Sequence, residues 1–282
     1  MRYAIVILVF NLIFCLGIES VWIPRTALEL ASGNSGIANS KNIGVNSCSI
    51  NNIKNSFSAS SILWYQGVKG SNINFKWGDK NHHYVNLYNL NATDIGFWDD
   101  VPNDNPIDLF DIHHISLGYG FGKNFSNKIN IGIKNTIIYN QLYTDESFGY
   151  NLDLGFSYSY NDVISFGASI NQLGFEKYNN TFNKYPLLIG AGSSIYISPL
   201  KTRLNLDVIY NQNLSDELIF KIGSIINIHP SFSFVSGYNY SDSKNELSCG
   251  ISFKYRKIQF DYGISFHTAL GNPTIFSLKY HI

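Results

Sequence analysis

The chain closes on I-Q-F-D-Y-G-I-S-F (Ile258–Phe266), a turn from His267 to Pro273, and T-I-F-S-L-K-Y-H-I (Thr274–Ile282). Ile258, Phe260, Tyr262, Ile264 and Phe266 alternate with Gln259, Asp261, Gly263 and Ser265. In the second half Phe276, Leu278, Tyr280 and Ile282 alternate with Ser277, Lys279 and His281. A period of two puts the apolar side chains of a strand on one face. A soluble sheet buries that face against a second layer. A closed barrel in a bilayer turns it outward to lipid and leaves small and charged residues in the lumen, as in bacterial outer-membrane barrels.

The same alternation recurs upstream. Tyr150, Leu152, Leu154, Phe156, Tyr158 and Tyr160 share one phase, and Asn151, Asp153, Gly155, Ser157 and Ser159 the other. Ile115, Leu117, Tyr119 and Phe121 oppose His114, Ser116, Gly118, Gly120 and Gly122; Ile129, Ile131 and Ile133 oppose Lys128, Asn130, Gly132 and Lys134; Leu204, Leu206, Val208 and Tyr210 oppose Arg203, Asn205 and Asp207. Further strands are expected near 57–65, 69–77, 82–90, 163–173, 186–197, 217–228, 231–241 and 246–256, separated by turn signals such as Asn161-Asp162, Ser198-Pro199 and His229-Pro230. The pattern predicts an all-β, antiparallel up-and-down transmembrane barrel of about fourteen strands over 57–282, an even number as an up-and-down meander requires. In a soluble sandwich the exposed phase would be rich in Lys and Glu, whereas here it is mostly Ser, Asn and Gly. Charged residues make up only 14% of the chain and aromatics 15%. Net charge is zero and no basic block occurs, which excludes a nucleic-acid footprint.

Residues 1–20 read as a signal peptide: Arg2, an apolar run from Ala4 to Leu16, then Gly17-Ile18-Glu19-Ser20. Phe14 stands before Cys15 where a lipoprotein signal wants a small residue. No later apolar run reaches the ~20 residues of a spanning helix. The segment 21–56 lacks alternation and is small and polar, with Gly33, Gly36 and Gly44 and a short helix expected near Thr26 to Ala31. Its composition suits a segment folded inside or beneath the barrel as a lumen plug, where water and side chains satisfy its backbone. Cys48 and Cys249 would be free to pair in an oxidising compartment. Cys249, in phase with Leu247, Ile251, Phe253 and Tyr255, reads instead as a small lipid-facing residue.

No catalytic, cofactor-binding or metal-binding residues are expected. The acidic loop 91–111 carries Asp94, Asp99, Asp100, Asp104, Asp108 and Asp111, hard ligands of the type calcium takes, but without the spacing of a calcium-binding loop. His82-His83 and His113-His114 are adjacent on strands and so point to opposite faces. No G-x-S-x-G elbow or phosphate-binding glycine loop is present. Gly118, Gly120, Gly122, Gly190 and Gly192 read as lumen-phase glycines that give room. The lumen-phase charges Lys76, Lys128, Lys134, Asp153, Arg203, Asp207, Lys221, Lys254, Asp261 and Lys279 are expected to pair, since unpaired charge in a low-dielectric wall is costly.

The segment Pro24 to Ala38 (P-R-T-A-L-E-L-A-S-G-N-S-G-I-A) resembles the N-terminal motif of outer-membrane barrels of the PorV/PorQ type, distant relatives of the FadL fatty-acid channels. Arg25 and Leu28 match that motif, and Asn51-Asn52-Ile53 stands where the family has Asn-Pro-Ala. Ile133-Lys134, Leu152-Asp153-Leu154-Gly155, and Asn171-Gln172-Leu173-Gly174 followed by Tyr185-Pro186 fit its mid-barrel rhythm. Phe260-Asp261-Tyr262-Gly263 with Leu270-Gly271-Asn272 is similar to its penultimate hairpin. The resemblance implies a non-enzymatic barrel of the bacterial outer membrane, FadL-like, in contact with outer-membrane lipid. Within it two roles compete: passage of hydrophobic or small solutes, and service to type IX-like secretion or surface assembly by binding secreted or surface proteins. A structural envelope barrel is a third.

Overall fold

Alternating strands whose outer faces are apolar have one stable arrangement without a second layer: a sheet closed on itself, with every backbone group paired inside the ring. The computed structural model shows that arrangement, and describes residues 23–38, 43–52, 54–98, 105–212, 217–242, 245–267 and 270–282. The signal-peptide reading of 1–20 lies outside the described residues.

A short helix α1 (Ala27–Ala31) and a 3₁₀ turn at Ser47–Asn52 precede the strands. These are β1 (Ser56–Leu63), β2 (Lys69–Trp77), β3 (Asn81–Phe97), β4 (Asp108–Asn124), β5 (Ile129–Leu142), β6 (Asp145–Ser159), β7 (Ile164–Tyr178), β8 (Thr181–Lys184), β9 (Leu187–Ile197), β10 (Thr202–Gln212), β11 (Glu217–His229), β12 (Phe232–Tyr240), β13 (Asn245–Tyr255), β14 (Ile258–Phe266) and β15 (Thr274–His281). Each pairs antiparallel with its neighbour in sequence, β7 passing to β9, and β15 pairs with β1. This closes a ring of fourteen strands, with β8 as an extra short strand on the far end of β7.

Burial follows the two phases. Phe260, Tyr262, Phe266, Phe276, Leu278 and Tyr280 are exposed on the outside, whereas Asp261, Ser265 and Ser277 are buried inside. On β6, Tyr150 and Phe156 face out and Asn151, Asp153 and Ser157 face in. A strand such as β14, with 9 residues, spans roughly 23 Å at ~3.3 Å per residue and ~40° tilt, close to the ~25 Å apolar band of a membrane barrel. Connections at one end are tight turns, such as 78–80, 230–231 and 256–257; those at the other include 64–68, 98–107 and 267–273. Short turns mark the periplasmic end and longer loops the extracellular end.

The structure corrects the sequence reading in two places. Strands β3 and β4 have 17 residues each, so the hairpin continues as a ladder to Phe97↔Asp108, and the loop itself shrinks from 91–111 to 98–107. The register shifts between Ala92 and Ile95, with Asp94 at φ 60°, and this break in phase hid the extension. Likewise β7 runs on to Tyr178 and returns through β8. The cysteines stand as the alternation implied: Cys249, between the buried Ser248 and Gly250, points outward, Cys48 is buried inside the barrel, and both are free thiols.

Candidate functional site: an occupied lumen

The polar phase of the strands encloses residues 23–38 and 43–52, which travel once around the inner wall. Successive contacts tie Ala27 to Gly263 on β14, Ala31 to Gly250 on β13, Ser32 and Gly33 to Gly237 on β12, Ser35 to Gly223 on β11, and Ile37 to Gly167 and Gly190 on β7 and β9. Past 43, Asn46 meets Gly155 on β6, Ser47 meets Gly132 on β5, and Ile50 and Asn51 meet Gly120 and Gly122 on β4. The glycines are paired across strands (Gly132↔Gly155, Gly223↔Gly237, Gly250↔Gly263) and so form a belt at one height. At most of these positions a Cβ would strike backbone or side-chain atoms of the enclosed segment. The lumen glycines give room, and what takes that room is the N-terminal chain.

Hydrogen bonds hold the segment along its course. Thr26 caps α1 by accepting from the Glu29 amide at 3.3 Å. The buried Glu29 carboxylate in turn accepts from the amides of Arg25 (2.7 Å), Thr26 (3.2 Å) and Gly44 (3.4 Å), stapling the start of the segment to its later half. The Ala27 amide donates to Ser277 Oγ at 2.9 Å, and Ser248 Oγ donates to the Ala31 carbonyl at 3.1 Å. Asp207 on β10 accepts from the Gly36 amide at 2.5 Å and the Ile37 amide at 3.2 Å. Asn46 donates to the carbonyls of Ile37 (2.7 Å), Phe156 (3.2 Å) and Ala168 (3.3 Å). The Arg25 guanidinium donates to Asn86 at 2.8 Å and lies 5.0 Å from the Tyr88 ring centroid. Cys48, 1% exposed, sits beneath β5 and β6, and burial pushes its thiol up to about 11.

The two sides of this partition differ. Toward the extracellular end, Ala27, Leu30, Ile62, Tyr88, Leu90 and Ile275 form a buried apolar cluster, with Ile23, Trp64 and Val68 packed on it. These wall residues occupy the lumen phase, as do Ile209 and Ile219 of a smaller cluster with Ile37 and Val45, whereas most other lumen-facing positions are polar. Beside the cluster, His114 bonds Asn140 through Nδ1 at 2.5 Å, and Asn140 and Ser147 both donate to Glu176 at 2.5 Å. Toward the periplasmic end a cavity of about 40 Å³ is bounded by α1, Ile43 and the wall of β1, β2, β14 and β15, with Lys76 and Lys279 among its lining residues.

Of the lumen charges expected to pair with one another, Lys134 and Asp153 do so at 2.6 Å, the single ion pair among the described residues. The others are met differently. Asp207 is taken up by the enclosed segment, Lys221 donates to the Asn34 carbonyl at 3.4 Å, and Arg203 donates to Ser194 at 3.3 Å. Asp261 accepts from Gln259 at 2.9 Å. Lys128 and Lys254 are exposed at the periplasmic rim. Pairing was the wrong expectation because the sequence could not show how many polar groups the N-terminal segment brings to the wall.

The histidine pairs split across the sheet: His82 and His114 are buried in the lumen, while His83 lies on the outer face against Trp77 and Tyr119. Asp111 accepts from the Asp94 amide at 3.1 Å, and Asp99, Asp100 and Asp104 lie outside the described residues. Among the described residues no group of three or more acidic, His or Cys side chains is placed to hold a metal. The apolar cluster was missed in sequence; its signal was Ile62, Tyr88, Leu90 and Ile275 standing in the lumen phase.

No known family model and no curated protein matches the chain. Solved structures match in fold. The P. putida toluene transporter TodX superposes with a TM-score of 0.70 at 10% identity, over 92% of this chain and 99% of that one. The CymD monoaromatic hydrocarbon channel gives 0.68 at 10% identity, over 91% and 97%. A P. aeruginosa FadL homologue gives 0.58 at 8% identity, over 92% and 99%. At such identities the likeness is one of fold: a closed antiparallel barrel of the kind seen in those structures.

Proposed function

We propose that this protein is a non-enzymatic barrel of the bacterial outer membrane that admits small hydrophobic solutes from the extracellular side, as FadL-like barrels do. The observation that carries the reading is the apolar cluster around Ile62, Tyr88, Leu90 and Ile275 on the extracellular side of the partition. The cluster is packed on Ala27 and Leu30 of the enclosed segment, so a solute meets it once that segment shifts, and then gains burial worth ~25 cal/mol per Å² of its surface. Toluene transport by TodX and monoaromatic passage by CymD, on the same fold, support it. The test is uptake of radiolabelled toluene by cells lacking their own channels. Cells making this protein should take it up faster than controls, and the Ile62→Asp variant should fall to the control rate. Wild-type uptake equal to the control would end the proposal.

The PorV/PorQ likeness of the segment around Arg25 supports a second reading, in which the protein serves secretion or surface assembly. The feature favouring it is the apolar tip of the β3–β4 hairpin, where Phe97, Trp98, Ile107 and Leu109 are exposed. Photo-cross-linking from position 109 in intact cells should then recover a discrete surface-protein partner; an adduct-free lane would remove this role.

A further inference from the structure

Among the described residues Lys76 is the most deeply buried cation whose ammonium finds no acceptor. Its side chain is 2% exposed, and Nζ has no hydrogen-bond partner. A buried ammonium without acceptors costs several kcal/mol, so such a group calls for a counter-charge or ordered water. It lines the periplasmic cavity together with Lys279, whose positive charge bears on it. Two carboxylates also line the cavity: Glu29 accepts from the amides of Arg25, Thr26 and Gly44, and Asp261 accepts from the Gln259 side-chain amide. Neither comes within 4 Å ion-pair distance of Lys76 among the described residues. Hydroxyl donors complete the lining. Ser58 accepts from Asn74 at 3.3 Å and keeps its own proton to give, and Ser56 lies beside Lys76 in the register.

We infer that this cavity is a binding site for a small monovalent anion of chloride's size, held by the Lys76 ammonium, the Lys279 charge and the hydroxyls of Ser56 and Ser58. At ~10–15 Å³ per water, a cavity of about 40 Å³ accommodates a halide with one or two waters. The ion reaches the site from the periplasm, since Ser56 and Lys279 lie at that end of β1 and β15. Bound there, it ties the wall of β1, β2 and β15 to α1, so occupancy steadies the seating of the N-terminal segment. This site is separate from the apolar cluster and does not depend on what the barrel passes.

Two measurements test it on the full-length protein in detergent micelles. Crystals soaked in sodium bromide should show an anomalous peak beside Lys76 Nζ, and a peak-free map at full bromide soak would overturn the assignment. In solution, thermal unfolding in sodium chloride or bromide should lie about 2–4 °C above that in sodium gluconate at equal ionic strength, for a halide concentration about tenfold over its dissociation constant. The Lys76→Met variant should lose the halide shift while Lys76→Arg keeps it. A halide shift of equal size in wild type and Lys76→Met would also overturn it.

Discussion

Replacing Gly132 by valine should unseat the 3₁₀ turn at Ser47–Asn52 from the barrel wall. Gly132 faces the lumen on β5, and its missing Cβ would occupy space held by the Ser47 carbonyl and the Cys48 amide. Both are backbone atoms, so no side-chain rotation relieves the clash; the turn or the strand must move. Overpacking of this kind costs about 1–3 kcal/mol. Taken from the docked state alone, that raises the population with the turn displaced roughly 5- to 150-fold, at tenfold per 1.4 kcal/mol. Cys48 reports it. The thiol is 1% exposed and burial pushes it up to about 11, so in the native protein it is both shielded and protonated near neutral pH. In a Cys249→Ala background, the maleimide labelling rate of Cys48 should be slow in the parent and rise 5- to 150-fold in the Gly132→Val variant. Ile131→Val, one residue away on the outer face, should leave the rate within a factor of two. If the parent already labels at the rate of an exposed thiol, or if Gly132→Val stays folded and labels no faster, the docking of residues 47–52 against the glycine belt is wrong.

The Lys134–Asp153 pair, both partners buried, gives an asymmetric pair of outcomes. Asp153→Ala strands a buried ammonium and should cost about 3–5 kcal/mol in urea unfolding, whereas the double replacement Lys134→Met, Asp153→Leu should cost only about 1–3 kcal/mol, from the Gln172 amide that loses its Asp153 acceptor. Leu117, exposed on the outer face of β4, should tolerate arginine poorly, losing about 2–4 kcal/mol in lipid vesicles near the bilayer midplane. Asp207→Ala removes the acceptor of the Gly36 and Ile37 amides and should cost about 1.5–3 kcal/mol per charged hydrogen bond lost, less where water enters. It should also speed Cys48 labelling. Deleting residues 23–52 should raise single-channel conductance well above the intact protein; an unchanged closed baseline would show that these residues do not block the lumen.

The barrel was legible because membrane strands write both of their environments into one sequence. Tyr150, Phe156 and Tyr160 meet one solvent and Asn151, Asp153 and Ser157 another, and the period of two survives any error in register. What escaped was decided by contacts between distant segments. Beyond Ala92 the phase slips at Asp94, and the ladder from Ile95 to Phe97 is held by backbone bonds that leave no side-chain signature. The glycine belt was visible as lumen-phase glycines, but its common height appears only once the pairings Gly132↔Gly155 and Gly250↔Gly263 are known. Asp207 looked like one of a set of charges awaiting partners, and its true acceptor role toward Gly36 and Ile37 spans some 170 residues. The apolar cluster asked for the opposite reading of the same rule: Ile62 and Ile275, directly opposed in the register, break the polar phase where the lumen turns apolar.

The account rests most directly on which face of the strands meets hydrocarbon, and β14 offers the plainest reading of it. Nitroxide labels placed singly at Phe260, Asp261, Tyr262 and Ser265 in lipid bilayers can be ranked by collision with oxygen, which concentrates in hydrocarbon, and with a nickel chelate, which stays in water. Labels at 260 and 262 should collide freely with oxygen and hardly with nickel, and those at 261 and 265 should be shielded from oxygen. Equal oxygen accessibility at all four positions, or the reverse alternation, would contradict a barrel that shows its apolar face to lipid.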